Sequence, residues 1–373
     1  MRVAIVTESF PPDVNGVAHC ALRTAEHLVR RGHVPLVVAP AGPHPPEPGQ
    51  DPCPVVRVPS LPLPGYPQVR VALPGRRTAA AVAAHRADLV HLASPFVLGF
   101  RGLSAATRLG VPAVAVYQTD LAGYARTYLS AGEGAAWRRI RSVHAAAART
   151  LAPSTASVEA LTRQGVPRVH LWPRGVDSRR FHPGHRDEAL RRELAPRGEL
   201  IVGYVGRLAP EKSVELLAEV CALDGVRVVV VGDGPSAAGL RHALPGALFP
   251  GRMTGHDLAR LYASLDVFCH TGPFETFCQT VQEAMASGLP VVAPAAGGPL
   301  DLVDHGRTGL LVPPGDAAAV RAAIQSLHAV PATRARFGAE ARRDVAARTW
   351  EAVGDQLLDH YAEILDIHRA AAA

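Results

Sequence analysis

Lysine is almost absent from this chain. Lys+Arg total 39 in 373 residues, yet Lys212 is the only lysine. Asparagine is equally scarce, with Asn15 alone. In a background that has nearly eliminated both residues, each survivor points to a local requirement. Lysine is a compact point charge that a planar guanidinium does not imitate. Asparagine tolerates left-handed turns better than most residues. Cysteines are few and scattered: Cys20, Cys53, Cys221, Cys269 and Cys278 are odd in number and form no C-x-x-C pair. That argues against a disulfide framework or a structural zinc and for a reducing, cytoplasmic setting. No apolar run reaches the length of a transmembrane helix. The opening MRVAIVTESF is interrupted at Thr7 and Glu8 and reads as a first strand rather than a signal peptide.

What is there is globular. Hydrophobic residues make up 48% and charged residues 19%, and the length suits two domains, each with its own core. The formal net charge is +6 with a pI near 9.4, and the basic residues are dispersed rather than gathered in tails. The balance suits small anionic ligands or the anionic inner face of a membrane, and no nucleic-acid partner is expected.

The sequence is organised around 275–290, ETFCQTVQEAMASGLP, with two carboxylates, Glu275 and Glu283, eight positions apart. Glu275 falls in a loop before an expected helix and Glu283 lies inside that helix, which Gly288 ends. A helix entry offers free N–H groups and the positive end of its dipole, a seat for phosphate. Carboxylates at the entry and further along can hold the two ends of one ligand, such as a sugar nucleotide.

The first half opens as strand, glycine loop and helix, with Gly16 where a backbone can approach a ligand. A proline-rich stretch, 40–74, has only one expected strand, 55–58. With Leu61, Leu63, Tyr66, Arg70, Arg76 and Arg77 it reads as an acceptor-side lip, a membrane-touching loop or an ordinary surface loop. Gln118, Asp120, Gly123 and Tyr124 follow another expected strand, where open α/β sheets place ligand contacts. A helix is expected over 135–149, with Trp137, Ile140, His144 and Ala147 on one stripe and Arg138, Arg139 and Arg141 off it. It is either packed on the core with a solvated basic face or attached to anionic lipid.

The charge-, proline- and glycine-rich segment 176–199 reads as an interdomain linker. The β-α alternation then restarts. Arg207 and Lys212 flank a turn after a strand, either as a diphosphate clamp or as surface bases paired with Glu211 and Glu215. Gly232-Asp233-Gly234-Pro235-Ser236-Ala237 fits a dinucleotide fingerprint but lacks the acidic residue after the next strand; a tight strand–helix turn is the better reading. The expected architecture is α/β, two Rossmann-like doubly wound domains facing across a cleft. They divide into residues 1–175, the linker 176–199, residues 200–349 and a terminal helix 350–373.

In order along the chain, PPDVNGVA, GRLAPEK, VGDGP, ETFCQTVQE and AMASGLPVVAPAAGGP resemble the motifs of retaining glycosyltransferases of family 4, which have the GT-B fold. The resemblance spans nearly the whole length. TESFPPDVNGV, HLASPFVLG, VYQTD, RGVDSRRF and FETFCQTVQEA look most similar to actinobacterial GDP-mannose-dependent α-mannosyltransferases, which build mannosylated glycolipids. The resemblance implies a first domain that binds acceptor, a second that binds nucleotide sugar, and a final helix that crosses back to the first. It implies that Gly16 presents its backbone to the distal phosphate and that Arg207 and Lys212 neutralise the departing diphosphate. Glu275 would hold sugar hydroxyls, with the backbone of Phe277, Cys278 and Gln279 nearby. Glu283 would take the ribose, Gly251 and Met253 border the base, and Gly297 and Gly298 shape the donor loop.

One departure matters. Many members carry histidine where this chain has Gln118, and glutamine cannot act as a general base. Front-face transfer, with the departing phosphate taking the acceptor proton, is then expected, and Asp120 remains a candidate acceptor contact. No D-x-D pair occurs, so neither a metal nor a cofactor is expected and Arg207 with Lys212 must supply the charge. The acceptor is expected to be a lipid-linked or small-molecule sugar acceptor. A UDP-sugar donor with a soluble natural-product acceptor, a nucleotide-dependent oxidoreductase, a nucleotide-sugar epimerase and a non-catalytic membrane scaffold are the alternatives.

Overall fold

Runs of buried apolar residues make the central strands of this protein, and polar turns break them. The computed structural model describes residues 1–13, 15–42, 51–63, 66–73, 75–119 and 133–372; Asp120, Gly123 and Tyr124 lie outside them. The chain divides into two compact units, Met1–Arg174 with Trp350–Ala373, and Gly175–Thr349.

The strands of the first unit are β1 (Arg2–Val6), β2 (Val34–Pro40), β3 (Val55–Val58), β4 (Ser60–Leu63), β5 (Tyr66–Ala72), β6 (Leu89–Leu92), β7 (Ala113–Val116), β8 (Arg149–Ala152) and β9 (Val169–Leu171). Seven form one parallel sheet in the order β3-β2-β1-β6-β7-β8-β9. The order reverses between β1 and β6. Ligands of open α/β sheets bind outside the carboxyl ends of strands at such a switch. There the loops after β1, β6 and β7 bring Glu8, Ser94 and Gln118.

Three features depart from the sequence expectation. The proline-rich stretch contains a second element, the antiparallel pair β4–β5, besides β3. The basic helix ends early, at Glu133–His144, and Arg149 opens β8 instead. Ile140, Val143 and His144 are buried while Arg138 and Arg141 are exposed. Asn15 is not left-handed: its backbone is extended and its side chain caps the helix Gly16–Arg30, accepting from Val17 and Ala18 N–H at 3.0 Å each.

The terminal helix Trp350–Ala372 packs on this unit. Trp350, Val353, Leu357, Tyr361, Ile364 and Leu365 recur at helical spacing and join the cluster of Ile5, Val37 and Leu89. Tyr361 OH bonds His91 Nδ1 at 2.6 Å, and Trp172 Nε1 donates to Val353 O at 3.0 Å.

The second unit carries β10 (Leu200–Val205), β11 (Val226–Val231), β12 (Leu248–Gly251), β13 (Val267–Cys269), β14 (Val291–Pro294) and β15 (Gly309–Val312), all parallel, in the order β12-β11-β10-β13-β14-β15. Its switch lies between β10 and β13. The charge-rich segment expected as a linker differs from that expectation. Asp187 N donates to Ser264 Oγ at 3.0 Å, Arg191 Nη1 donates to Ser264 O at 2.6 Å, and Phe181 packs edge-on to Tyr262 at 5.5 Å. An amphipathic turn of charge outside and Phe181, Leu190 and Leu194 inside is a packed segment, not a free connection.

Candidate active site

The loops after β10, β13 and β14 meet in the second unit, the first two through a side-chain hydroxyl and the last two backbone to backbone. Thr271 Oγ1 donates to Lys212 O at 2.7 Å, tying the first two loops. Gly298 N donates to Glu275 O at 2.8 Å, tying the last two. A Cβ on Gly298 would lie 2.0 Å from Phe277 O, and one on Gly297, whose φ is +61°, 2.4 Å from Glu275 O. Only glycine permits this approach.

This packing places the lone lysine on the first carboxylate of the central stretch. Lys212 Nζ donates to Glu275 Oε1 at 2.6 Å, and His270 Nε2 lies 3.3 Å from the same oxygen. Tyr204 stacks on His270 at 6.2 Å with its ring nearly parallel. Burial works to raise the Glu275 carboxyl, but Lys212 and His270 outweigh it and hold it at about 2. Burial opposes charge on His270 too, yet Cys278 and Glu275 lift it well above the usual histidine range. The Glu275 carboxylate therefore meets both Lys212 Nζ and His270 Nε2 on one oxygen. Besides the Glu211 and Glu215 partners that the sequence offers, Lys212 thus meets a carboxylate from a different loop.

Arg207 sits in the turn after β10, half-buried, with its carbonyl accepting from Tyr204 OH at 3.2 Å. The Gly232-x-Gly234 motif supports that turn. Leu208 N donates to Asp233 O at 2.9 Å, and a Cβ on Gly232 would lie 1.8 Å from Gly206 O. These glycines seat a neighbouring loop, so the dinucleotide-fingerprint reading falls.

Cys278 precedes the helix Gln279–Ala286 with φ +78°, and Phe277 and Cys278 are buried. Glu283 lies inside that helix, with Tyr262 OH donating to its Oε2 at 3.4 Å. Burial pushes its carboxyl up to about 8, against Tyr262, Arg180 and Gln279. Two carboxylates of one short segment thus sit in opposite protonation regimes. Gly251 ends β12 with φ +84°, and Met253 packs on the unit's core. Donor atoms of His270, Glu275 and Cys278 lie within 4.8 Å of one another, a set that a soft divalent cation accepts. The Lys212 ammonium already fills the cationic role against Glu275.

In the first unit, Gly16 opens the capped helix, and a Cβ there would meet nothing within 4 Å. Packing does not demand this glycine. Gln118 is buried, its Nε2 donating to Ala93 O at 2.9 Å and its Oε1 accepting from Arg174 Nη2 at 2.8 Å. Glu8 accepts from Leu98 N at 2.6 Å and Gly99 N at 3.3 Å, and burial pushes its carboxyl to about 7. Sequence reasoning passed over Glu8, Arg174 and His270. Glu8 and Arg174 stand just past expected strands, the position that singled out Gln118, and His270 is the last residue of one.

A family model described as glycosyl transferases group 1 matches residues 185–344, and one described as glycosyltransferase family 4 matches residues 14–180. The chain belongs to the family 4 glycosyltransferases. This glycosyltransferase is 51% identical to the GDP-mannose-dependent alpha-mannosyltransferase of Mycolicibacterium smegmatis, over 98% of both chains. It is 50% identical to the protein of that name in Mycobacterium tuberculosis, over 98% of this chain and 97% of that one. Among solved structures, Anabaena HepE in complex with UDP superposes with a TM-score of 0.81 at 22% identity, over 97% of this chain and all of that one. That likeness shows the fold, GT-B with two Rossmann-like sheets.

Proposed function

We propose that this glycosyltransferase moves mannose from GDP-mannose to a hydroxyl of a glycolipid or small-molecule acceptor, with retention at the anomeric carbon. The observation that carries the proposal is the Lys212–Glu275 contact at 2.6 Å, at the switch point of the second sheet. It joins a cation fit for a diphosphate to a carboxylate fit for sugar hydroxyls. The relatives named above supply the donor, and a transferase rather than an oxidoreductase or epimerase.

In this reading the second unit holds the donor. Glu275, ionised at neutral pH, accepts from sugar hydroxyls, and the backbone of Phe277, Cys278 and Gln279 lies beside it. Arg207 and Lys212 meet the diphosphate, Glu283 the ribose, and Gly251 and Met253 the base. The first unit binds the acceptor, Gly16 meets the distal phosphate through its backbone, and Gln118 contacts the reacting sugar. The anomeric carbon–phosphate oxygen bond breaks as the acceptor oxygen bonds the same face. The acceptor proton passes to the departing phosphate oxygen, whose growing charge Arg207 and Lys212 stabilise. No metal or cofactor is invoked, because fixed cations supply the charge; undiminished turnover in chelator is the expected result. Asp120 keeps its place as a candidate acceptor contact.

In this reading the enzyme works in the cytoplasm, in peripheral contact with the inner face of the membrane. Among the described residues no helix is long and apolar enough to cross a membrane. The first unit does expose Phe96 and Phe100, with Arg139 over the Phe100 ring at 4.3 Å, and Arg76, Arg77, Arg138 and Arg141 are exposed in the same unit. Aromatic side chains with arginines suit peripheral contact with anionic lipid. A donor panel of GDP- and UDP-sugars against lipid extracts and soluble sugars, with products read by mass spectrometry, tests the function. Mannose transfer from GDP-mannose is expected; transfer from a UDP-sugar alone would overturn the donor assignment. Flotation with anionic but not zwitterionic vesicles tests the membrane contact.

A further inference from the structure

Arg174 is a cation with 6% of its surface exposed, set at the end of the first unit's sheet. Its fork reaches two elements. Nη2 donates to Gln118 Oε1 at 2.8 Å, and Nη1 donates to Cys20 Sγ in the helix Gly16–Arg30. Its Cζ lies over the Trp172 ring, 5.3 Å from the centroid. The guanidinium can only donate, so it fixes the orientation of the Gln118 amide: the oxygen faces Arg174 and the nitrogen faces Ala93 O. A cation on the amide oxygen also polarises the group and strengthens its N–H donors.

The same charge shapes what else can stand there. His91, buried beside Trp172, is kept neutral first by burial and then by Arg174. An imidazole at 118 would face the guanidinium directly, could meet it only as a neutral acceptor, and would be hindered from taking a proton.

We propose that Arg174 is the positioning residue of Gln118, and that its buried charge is what makes an amide, and not a base, the working group at that position. The proposal rests on the reading of Gln118 as a contact of the reacting sugar. A double-mutant cycle separates the two ideas, with GDP release from GDP-mannose in the presence of a total lipid extract as the readout. Gln118→Ala tests the reading of Gln118 itself; unchanged turnover there sinks that reading and the proposal with it. If Gln118→Ala is impaired, Arg174→Met should lower kcat about tenfold with little change in donor KM, and add less than twofold in the Gln118→Ala background. Equal losses in both backgrounds would overturn the proposal and leave Gln118 in place. Should Arg174→Met fail to fold, Arg174→Lys, which keeps the charge and gives up the fork, takes its place in the cycle. A second arm reads the pH profile. Gln118→His should be poor with Arg174 present, and should recover activity with an added ionisation near neutral pH when combined with Arg174→Met or, should that variant not fold, Arg174→Gln, either of which removes the charge. No recovery and no new ionisation would refute the charge argument.

Discussion

Glu283→Gln should stabilise the protein at neutral pH while weakening its hold on the donor. The carboxyl is raised from 4.5 to about 8 by burial, the reverse of the usual carboxylate case. Between those values the folded state binds a proton that the unfolded state has released. Stability from this group is therefore full below pH 4.5 and is lost as pH rises towards 8. At about 1.4 kcal/mol per pH unit, the loss at pH 7 reaches about 3 kcal/mol. Glutamine is neutral in both states and escapes it. Its amide must still meet Tyr262, so a net gain of about 1–3 kcal/mol is expected at pH 7. Urea unfolding of both proteins at pH 5, 6, 7 and 8 measures it. The curves should nearly coincide at pH 5 and diverge steadily to pH 8. A constant offset, or a variant less stable at pH 8, would refute the protonated-carboxyl reasoning. Addition of GDP should stabilise the variant less than the parent, because the ribose contact is weakened.

Lys212→Ala and Arg207→Ala should each cost well over an order of magnitude in turnover; near-normal rates in both would remove the diphosphate clamp. Glu275→Gln should damage turnover more than Glu283→Gln, since it empties the charge facing Lys212 and His270. Equal mild effects in steady-state kinetics would mean the sugar end is misassigned. Asn15→Ala should cost about 1 kcal/mol in denaturant unfolding, the worth of an N-cap that serves two amides; a neutral result would show that the cap is dispensable.

Much of the candidate site was legible in one dimension. The β-α alternation, the glycine turns after strands and the isolated Lys212 and Glu275 follow from local chemistry, as does the absence of a base at Gln118. The missing acidic residue already favoured a tight strand–helix turn at Gly232 over a dinucleotide fingerprint, and the close approach to Gly206 O shows what that turn packs against. The strand β8 was hidden because Arg149 and Thr150 interrupt the apolar pattern, yet both are buried by the elements around them. The segment 176–199 looked like a linker because its charged face dominates its composition, while Phe181 and Leu194 anchor it.

The sequence by itself determined the fold class, the order of loops and the chemical types they carry, because those depend on neighbours along the chain. It could not pair Lys212 with Glu275, separated by 63 positions, or Arg174 with Gln118, separated by 56. Strand order decides those pairs: β10 lies beside β13, and β9 and β7 flank β8 on its two sides. Periodicity records which face of a strand is buried but not which strand lies next to it. The opposite ionisation of Glu275 and Glu283 has the same origin, since burial and partners, not residue type, set where a carboxylate gives up its proton.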